Sequence, residues 1–295
     1  MARPLRIHIP GALYHVISRG NARQKIFLDD GDDAHFLSRL AATTSRFAVR
    51  CYAYCLMINH YHLLLEPARL PVWRLMQQLN SSYSQRFNRR HQRVGHLLQG
   101  RYKALIIDRE HYFRRVLRYI VLNPVRARLV THPAEWRWSS YRATAGLEPP
   151  PTFLAADAVW TAFDADSTLA RQAYVAFVAS HPRAPLDAPT GPIVCGSDRF
   201  VARVGLEIEP HRADREILYA ERFACRPSLG ELFAGSVDTQ ALDAAMWRAF
   251  ARHGYTLREI GGVVGRPPAT VWRRIRRAID RQVGVNCHRN EKIEI

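Results

Sequence analysis

The sequence predicts an α+β fold: a ferredoxin-like antiparallel sheet with helices on one face, followed by an all-α helix-turn-helix domain. Three observations predict it. Strand and helix patterns follow the order β-α-β-β-α-β-α over residues 1–146, which is typical of this sheet topology. Prolines interrupt alanine-rich stretches over residues 147–195, the pattern of residues 196–235 is ambiguous, and we interpret residues 147–235 together as a linker with short helices. Residues 236–295 carry helical patterns only and form the predicted second domain.

Local patterns define each element of the predicted sheet domain. Apolar residues that alternate predict strands, and apolar residues three or four positions apart predict helices. Acidic residues favour the first turn of a helix, and proline ends an element because it has no backbone N–H to donate. The predicted strands are residues 13–17, 47–57, 60–66 and 102–107. The first predicted helix begins at the aspartates of residues 29–33, and two further helices span residues 72–88 and 108–122.

The chain is strongly basic. Among its 295 residues, 43 Lys and Arg against 26 Asp and Glu give a formal net charge of +17. A polyanion is therefore the first partner to expect, with nucleic acid ahead of an anionic membrane. Hydrophobic residues make up 47% of the chain, which is enough to build packed cores and excludes wholesale disorder.

No targeting signal or disulfide framework is predicted. The N-terminus lacks the apolar core of a signal peptide, and no apolar run approaches the ~20 residues of a membrane span. Five cysteines are an odd and small number for a disulfide-stabilised protein of this length. We expect a cytoplasmic, nucleoid-associated protein that does not bind membranes.

Two histidines in the third predicted strand form the first candidate site. Side chains alternate along a strand, so His60 and His62 point to one face and Tyr61 points to the other. Two neutral imidazoles on one face can bind a divalent metal, although alone the pair is more often two partly exposed strand histidines. Cys51 and Cys55 precede the pair, but they fit the apolar face of a strand better than a zinc site.

A tyrosine and an asparagine in the last predicted helix form the second candidate site. Tyr119 and Asn123 are four residues apart, which makes them neighbours on one helical face. Asn123 precedes Pro124, which disfavours further helix, so the Asn123 amide sits at a helix end. The alternative is that Asn123 only caps the helix. Tyr112, seven residues before Tyr119, is the rival nucleophile.

Basic and aromatic residues are interleaved in the stretch before Tyr119. Cations that contact phosphates, beside rings that stack on bases, are what a single-strand binder needs. The alternative is a solvated arginine-rich helix face. The candidate DNA-binding residues are Arg19, Arg86, Arg89, Arg90, Arg101, Lys103, Arg115 and Arg118.

The C-terminal region has a helix-turn-helix pattern with a basic second helix. Thr256 and Glu259 form a capping box at the start of one helix. Gly265 makes the turn, and two prolines suit the entry to the next helix. In that helix Val271, Trp272, Ile275 and Ile279 are expected to face inward. We expect Arg266, Thr270, Arg273 and Arg274 to approach duplex DNA, and the alternative is a plain helical bundle.

Five motifs, in this order, resemble those of the REP-associated tyrosine transposases, which belong to the single-tyrosine HUH transposases. The resemblance covers about residues 8–146 and does not include the C-terminal half, which is similar to the DNA-binding domain of the bacterial replication initiator. The motifs are YHVISRGN at residues 14–21, AYCLMINHYHLL at 53–64, QGRYK at 99–103, YIVLNPVRA at 119–127 and WSSY at 138–141.

The resemblance implies an HUH nuclease domain over residues 1–146 that cuts single-stranded DNA beside hairpins. It implies that His60 and His62 bind Mg²⁺ or Mn²⁺, and that Asn123 is a third ligand. Tyr119 would be the nucleophile that forms a covalent 5′-phosphotyrosine intermediate. Asn123 is one methylene shorter than the glutamine of related transposases, so direct coordination is less secure for it than for the histidines.

Two other functions are compatible with these residues. One is a sequence-specific DNA-binding regulator whose nuclease domain is inactive, since a basic surface and the C-terminal helices would suffice for it. The other is a metal phosphodiesterase that uses water, although the sequence lacks the extra ligands usual for two-metal sites. A one-tyrosine enzyme needs two active sites to exchange two strands at once, so we expect a homodimer if this protein exchanges strands in that way.

Overall fold

The computed structural model describes residue 9 and residues 11–68, 70–180, 194–208, 223, 225–236 and 238–278. These residues belong to two compact units, divided between Glu207 and Ile208. No helix within the described ranges is long and apolar enough to cross a membrane.

A five-stranded sheet organises the N-terminal unit, with strand order β2-β3-β1-β4-β5. The first four strands pair antiparallel in the ferredoxin-like order, which confirms the predicted α+β fold. The fifth strand adds a short parallel pairing to β4, so the complete sheet is mixed. The strands are β1 (Leu13–Arg19), β2 (Val49–Met57), β3 (His60–Pro67), β4 (Lys103–Ile107) and β5 (Val194–Cys195).

Two long helices, α1 (Asp30–Phe47) and α2 (Val72–Arg90), lie on one face of the sheet. The side chain of Tyr61 points to this face, where its ring lies 4.6 Å from the ring of Phe36 and its hydroxyl donates to Asn80. The prediction of helices on one face therefore holds for α1 and α2.

The third helix, α3 (Arg109–Val121), lies on the opposite face. Its apolar residues Leu117 and Ile120 pack in one core with Cys55 and Leu64, which are strand residues of that face. Because β3 alternates, the face that α3 covers is the one to which His60 and His62 point. The sheet is thus covered on both sides, which the pattern of each helix alone does not reveal.

Acidic caps begin two of these helices, as the sequence predicts. The Asp29 side chain accepts from the backbone N–H of Asp32 at 3.1 Å, and the Asp108 side chain accepts from that of Glu110 at 3.1 Å. Each bond satisfies one of the N–H groups that a helix N-terminus leaves without an intrahelical partner.

The segment after α3 continues the N-terminal unit. The WSSY motif runs beside β2: Leu56 N–H donates to the Trp138 carbonyl at 2.8 Å, and Ser140 N–H donates to the Tyr54 carbonyl at 2.9 Å. This pairing covers an edge strand that would otherwise expose unpaired backbone groups. The short helices here are α4 (Asn123–Arg126), α5 (Tyr141–Thr144), α6 (Ala156–Trp160), α7 (Ser167–Ser180) and α8 (Asp198–Ile208).

Short helices occur in the segment that the sequence predicts as a linker. Val159 of α6 and Tyr174 and Val178 of α7 are buried in the same core as Leu117 and Ile120 of α3. These apolar side chains therefore stabilise the N-terminal unit. The boundaries at residues 146 and 235 stay predictions.

The C-terminal unit is helical in its described residues. It contains α9 (Leu229–Phe233), α10 (Thr239–Ala251), α11 (Leu257–Val264) and α12 (residues 268–278). The capping box of Thr256 and Glu259 is present, and Gly265 ends α11 with a φ of 64°, a conformation that glycine adopts without a Cβ penalty.

The inward face of α12 differs at one position from the prediction. Val271 and Ile275 are buried in the core of this unit, as expected. Trp272 is 42% exposed and its ring lies 5.8 Å from that of Phe250, so the prediction that it faces inward is wrong. One residue along a helix is a rotation of about 100°, which takes Trp272 off the face shared by its neighbours. Ile279 lies outside the described residues.

Candidate active site

Histidines from two strands meet the tyrosine of α3 on one face of the sheet. His15 comes from β1, and His60 and His62 come from β3. The ring of Tyr119 lies 5.7 Å from that of His15 and 5.9 Å from that of His62, between ring centroids, and the rings of His60 and His62 are 5.0 Å apart. The fold therefore brings together residues from three distant segments of the chain.

His15 is a site residue that sequence reasoning missed. Its Nε2 lies 3.0 Å from Nδ1 of His62 in a buried hydrogen bond, and the two rings are stacked at 5.2 Å. The available signal was an imidazole among the apolar residues of β1. Its partner depends on the register of β1 against β3, in which Ile17 lies opposite His62.

A second hydrogen bond orients His60. Its Nδ1 lies 2.7 Å from Oδ1 of Asn59, and the Asn59 amide nitrogen donates to the Arg23 carbonyl at 3.0 Å. Because the amide nitrogen is used by Arg23, the oxygen faces His60 and accepts its Nδ1 proton. The Nε2 atom of His60 is then left with a lone pair.

All three imidazoles are neutral at physiological pH. Burial lowers the pKa of His15 and of His60 to about 4, and the charge of Arg19 adds to the effect on His60. Burial lowers the pKa of His62 well below its usual value, helped by the neighbouring histidines and by the charges of Arg19 and Arg126. Neutral imidazole is the form that binds metal ions.

The histidine pair fits a divalent metal. Among the described residues, none hydrogen-bonds the buried Nε2 atom of His62. A buried polar atom without a partner is costly, and a metal bound to Nε2 would satisfy it. The Nδ1 bonds to His15 and Asn59 are the outer contacts that fix the orientation of metal-binding histidines.

Asn123 uses its amide nitrogen within α3. Nδ2 donates to the Tyr119 carbonyl at 2.8 Å and to the Ile120 carbonyl at 3.2 Å, so the residue caps the helix end, as the alternative interpretation has it. Only Oδ1 is then suited to bind a metal.

A second group of side chains could also hold a metal ion. One ligand atom each from Asp108, Glu110 and His111 lie within 4.8 Å of one another at the start of α3. The Asp108 carboxylate already accepts from Ser197 Oγ at 2.8 Å and from His111 Nδ1 at 3.0 Å, besides capping α3. These bonds compete with a metal for its lone pairs.

Arg126 is a second residue that sequence reasoning missed. Its guanidinium carbon lies 4.5 Å from the centroid of the Tyr119 ring. The rival nucleophile, Tyr112, lies two turns earlier on α3, where the Arg115 guanidinium is 5.4 Å from its ring.

Four of the predicted DNA-binding residues lie on elements of the histidine face. Arg19 pairs in register with His60, and Lys103 pairs with Ile17, which in turn pairs with His62. Both side chains are exposed, as is Arg115 on α3. Arg118 is half-buried, with its guanidinium 4.4 Å from the ring of Phe177.

The remaining candidates lie elsewhere. Arg86, Arg89 and Arg90 are on α2, across the sheet from the histidines. The guanidinium of Arg90 is 2.7 Å from the Asp29 carboxylate and 2.6 Å from that of Asp32, which offsets its charge. Arg101 is half-buried in the loop before β4.

The predicted DNA-contacting residues of the C-terminal unit differ in exposure. Arg266 and Arg273 are exposed, and Arg273 donates to the hydroxyl of half-buried Thr270 at 3.2 Å. Arg274 is 18% exposed and forms an ion pair with the buried carboxylate of Asp243. Arg266 and Arg273 are therefore the better placed for contact with a ligand.

Comparison with known proteins identifies relatives of the N-terminal unit. The model of a protein family described as IS200-like transposases matches residues 9–123. No curated protein matches the chain. The matched range contains β1 to β4 and α1 to α3, and with them the three histidines and Tyr119.

Two solved structures are similar over part of the chain. One is described as a REP-associated tyrosine transposase bound to a REP hairpin; it is 16% identical, has a TM-score of 0.42, and the match covers 52% of this chain and 92% of that one. The other is described as a transposase from Deinococcus radiodurans R1; it is 19% identical, has a TM-score of 0.30, and the match covers 40% of this chain and 95% of that one.

Proposed function

We propose that this protein is a metal-dependent single-stranded DNA endonuclease and strand transferase, and the proposal proceeds from the match of residues 9–123 to the IS200-like transposase family. The observation that supports the proposal is the position of Tyr119, whose ring lies against His15 and His62 on the face to which His60 also points. The proposed nucleophile and three neutral imidazoles thus lie on one face of the sheet.

In the proposed reaction Tyr119 attacks a DNA phosphodiester. Its phenol oxygen bonds to phosphorus, the bond from phosphorus to the 3′ oxygen breaks, and the leaving 3′-hydroxyl receives a proton while the phenol loses one. A divalent metal bound to His60 and His62 would withdraw charge from the phosphate. The product is a 5′-phosphotyrosine link, and because no water is consumed the reverse reaction can join strands.

The substrate we propose is single-stranded DNA beside a hairpin. The five sequence motifs that resemble hairpin-cutting transposases support it, and so do the exposed cations Arg19 and Lys103 on the histidine face. Single strands can bring a backbone phosphate to a nucleophile fixed against a sheet, whereas a duplex holds its phosphates in a rigid helix. Cellular DNA as substrate implies a cytoplasmic, nucleoid-associated protein.

Trapping of a covalent adduct tests the proposed function. The full chain is incubated with labelled hairpin-bearing single strands and Mn²⁺ or Mg²⁺, and the products are separated on a denaturing gel. We expect a labelled band at the size of the protein plus DNA, which chelation of the metal abolishes. Tight binding of the hairpin without cleavage in any divalent metal would favour the DNA-binding regulator, and cleavage without an adduct would favour the water-using phosphodiesterase.

Replacement of His15 should weaken metal binding. The His15→Ala variant removes the group that bonds Nδ1 of His62 at 3.0 Å, so the imidazole loses its orientation. Loss of such an outer contact typically lowers metal affinity about 10- to 100-fold. Titration of the full chain with Mn²⁺, followed by calorimetry, measures the affinity.

The matched control for His15 is His15→Gln, whose amide oxygen can accept the Nδ1 proton of His62. We expect it to recover most of the lost affinity. Equal Mn²⁺ affinity in the wild type and in a folded His15→Ala variant would show that the hydrogen bond does not support metal binding.

We further propose that the C-terminal unit binds duplex DNA through α12 and Arg266, which lies just before it. In the full chain the double variant Arg266→Gln, Arg273→Gln removes two exposed cations. Its affinity for duplex DNA should fall, and the slope of log affinity against log salt should decrease by about two. The control double variant, Arg248→Gln with Arg252→Gln, removes two exposed cations, one in α10 and one directly after its end. An equal loss in both variants would contradict a specific α12 surface.

A further inference from the structure

Arg126 presents an unused hydrogen-bond donor beside the proposed nucleophile. Its guanidinium stacks 4.5 Å from the centroid of the Tyr119 ring. Within the described part of the chain, no residue accepts a hydrogen bond from its Nη1 atom, which is buried. A guanidinium has five N–H donors and no acceptor, and buried donors are normally hydrogen-bonded. An acceptor atom of a bound ligand would satisfy Nη1.

A groove lies beside the Arg126 side chain. It has a volume of about 660 Å³, and the described residues that line it belong to α4 and the segment that follows: Val125, Arg126, Arg128, Leu129, Val130 and Thr131. A groove of this size can hold a small ligand or a short length of a larger one. Arg128 adds a second cation and Leu129 an exposed apolar surface, a combination that suits a charged backbone with attached rings.

The chemistry of the site selects the ligand. Arginine binds phosphate through parallel N–H···O bonds because the guanidinium fork matches two phosphate oxygens. The Arg126 guanidinium touches the ring of Tyr119, and in the proposed function the phenol of that ring attacks a phosphodiester. A phosphodiester within reach of the phenol is therefore close to the Arg126 guanidinium as well.

We propose that Arg126 binds the phosphodiester that Tyr119 attacks, by donating from Nη1 to a non-bridging oxygen, and that the adjoining single strand lies in the groove of residues 125–131. This inference rests on the proposed function and names a binding residue for the same substrate. Arg126 also fixes the Tyr119 ring by stacking, so the two roles must be separated by experiment.

The two roles of Arg126, phosphate binding and stacking, are separated by measuring the binding of hairpin DNA in which one phosphodiester at a time is uncharged. The full chain carries Tyr119→Phe, which keeps the ring under Arg126 and prevents cleavage, and EDTA removes metal ions. Each phosphodiester beside the hairpin is replaced in turn by a methylphosphonate, which has no charge. We expect one linkage at which the replacement weakens binding about tenfold, as for the loss of a charge-assisted hydrogen bond.

The arginine variants assign that loss. In Arg126→Gln, binding should be weaker overall and the methylphosphonate at the sensitive linkage should cost nothing further, whereas Arg126→Lys should retain part of the effect. Arg128→Gln, which removes a neighbouring cation of the same groove, should keep the tenfold loss. Persistence of the full loss in Arg126→Gln, or the absence of any sensitive linkage, would overturn the inference.

Failure of the inference is distinguishable from failure of the proposed function. The chain with Tyr119 intact is tested for the covalent adduct with Mn²⁺ on the same unmodified hairpin. An adduct joined at the linkage that Arg126 senses supports both. If the adduct forms but hairpin binding does not depend on Arg126, the inference alone is overturned. If no adduct forms in any divalent metal, both are overturned.

Discussion

Replacement of Tyr119 with phenylalanine is expected to abolish the covalent protein–DNA adduct. The variant removes only the phenol oxygen, which is the proposed attacking atom, and keeps the ring that contacts His15, His62 and Arg126. Loss of a nucleophile typically lowers the rate by about a thousandfold or more. Adduct formation under single-turnover conditions, measured on a denaturing gel, gives this rate.

The control for this substitution is Tyr112→Phe. Tyr112 lies on the same helix, also half-buried and also next to an arginine, and its hydroxyl has no part in the proposed reaction. We expect the Tyr112→Phe variant to form the adduct at close to the wild-type rate. An adduct that persists in Tyr119→Phe and vanishes in Tyr112→Phe would assign the nucleophile to Tyr112.

Replacement of His62 with alanine is expected to remove metal binding and adduct formation together. His62 is 3% exposed and is the imidazole whose Nε2 lacks a partner among the described residues. Loss of a direct ligand should cost more than the 10- to 100-fold typical of an outer contact, so we expect Mn²⁺ affinity to fall by at least about 100-fold. Mn²⁺ titration and the adduct assay measure the two effects.

Two controls accompany His62→Ala. Because the side chain is buried, denaturant unfolding establishes that the variant is folded before metal binding is measured. His111→Ala removes a ligand atom from the other cluster, which consists of Asp108, Glu110 and His111. The His111 side chain is exposed, so its removal leaves the core intact. If Mn²⁺ binding and adduct formation depend on His111 and not on His62, the metal site is at the start of α3.

The sequence predicts the strand order and one face of the site because these depend on local rules. Alternation along β3 places His60 and His62 on the same face, whatever that face packs against. The element order predicts the ferredoxin-like pairing because connections in such units follow few topologies. Asp29 and Asp108 cap helices, as acidic residues before apolar periodic segments predict.

The rest of the site depends on long-range register. His15 meets His62 because β1 pairs with β3 with Ile17 opposite His62, and no local pattern specifies that pairing. Arg126 reaches the Tyr119 ring because the chain turns into α4 after α3. The position of α3 across the sheet from α1 and α2, and the parallel pairing of β5, likewise follow from tertiary packing and not from periodicity.

Peptide mapping of the trapped adduct tests the central claim most directly. The adduct formed by the full chain with hairpin DNA and Mn²⁺ is digested with a protease and a nuclease, and the modified peptide is sequenced by mass spectrometry. We predict a nucleotide 5′-phosphate on the oxygen of Tyr119. A nucleotide on Tyr112 or on any other residue, or no modified peptide from a reaction in which the DNA has been cut, would contradict the account.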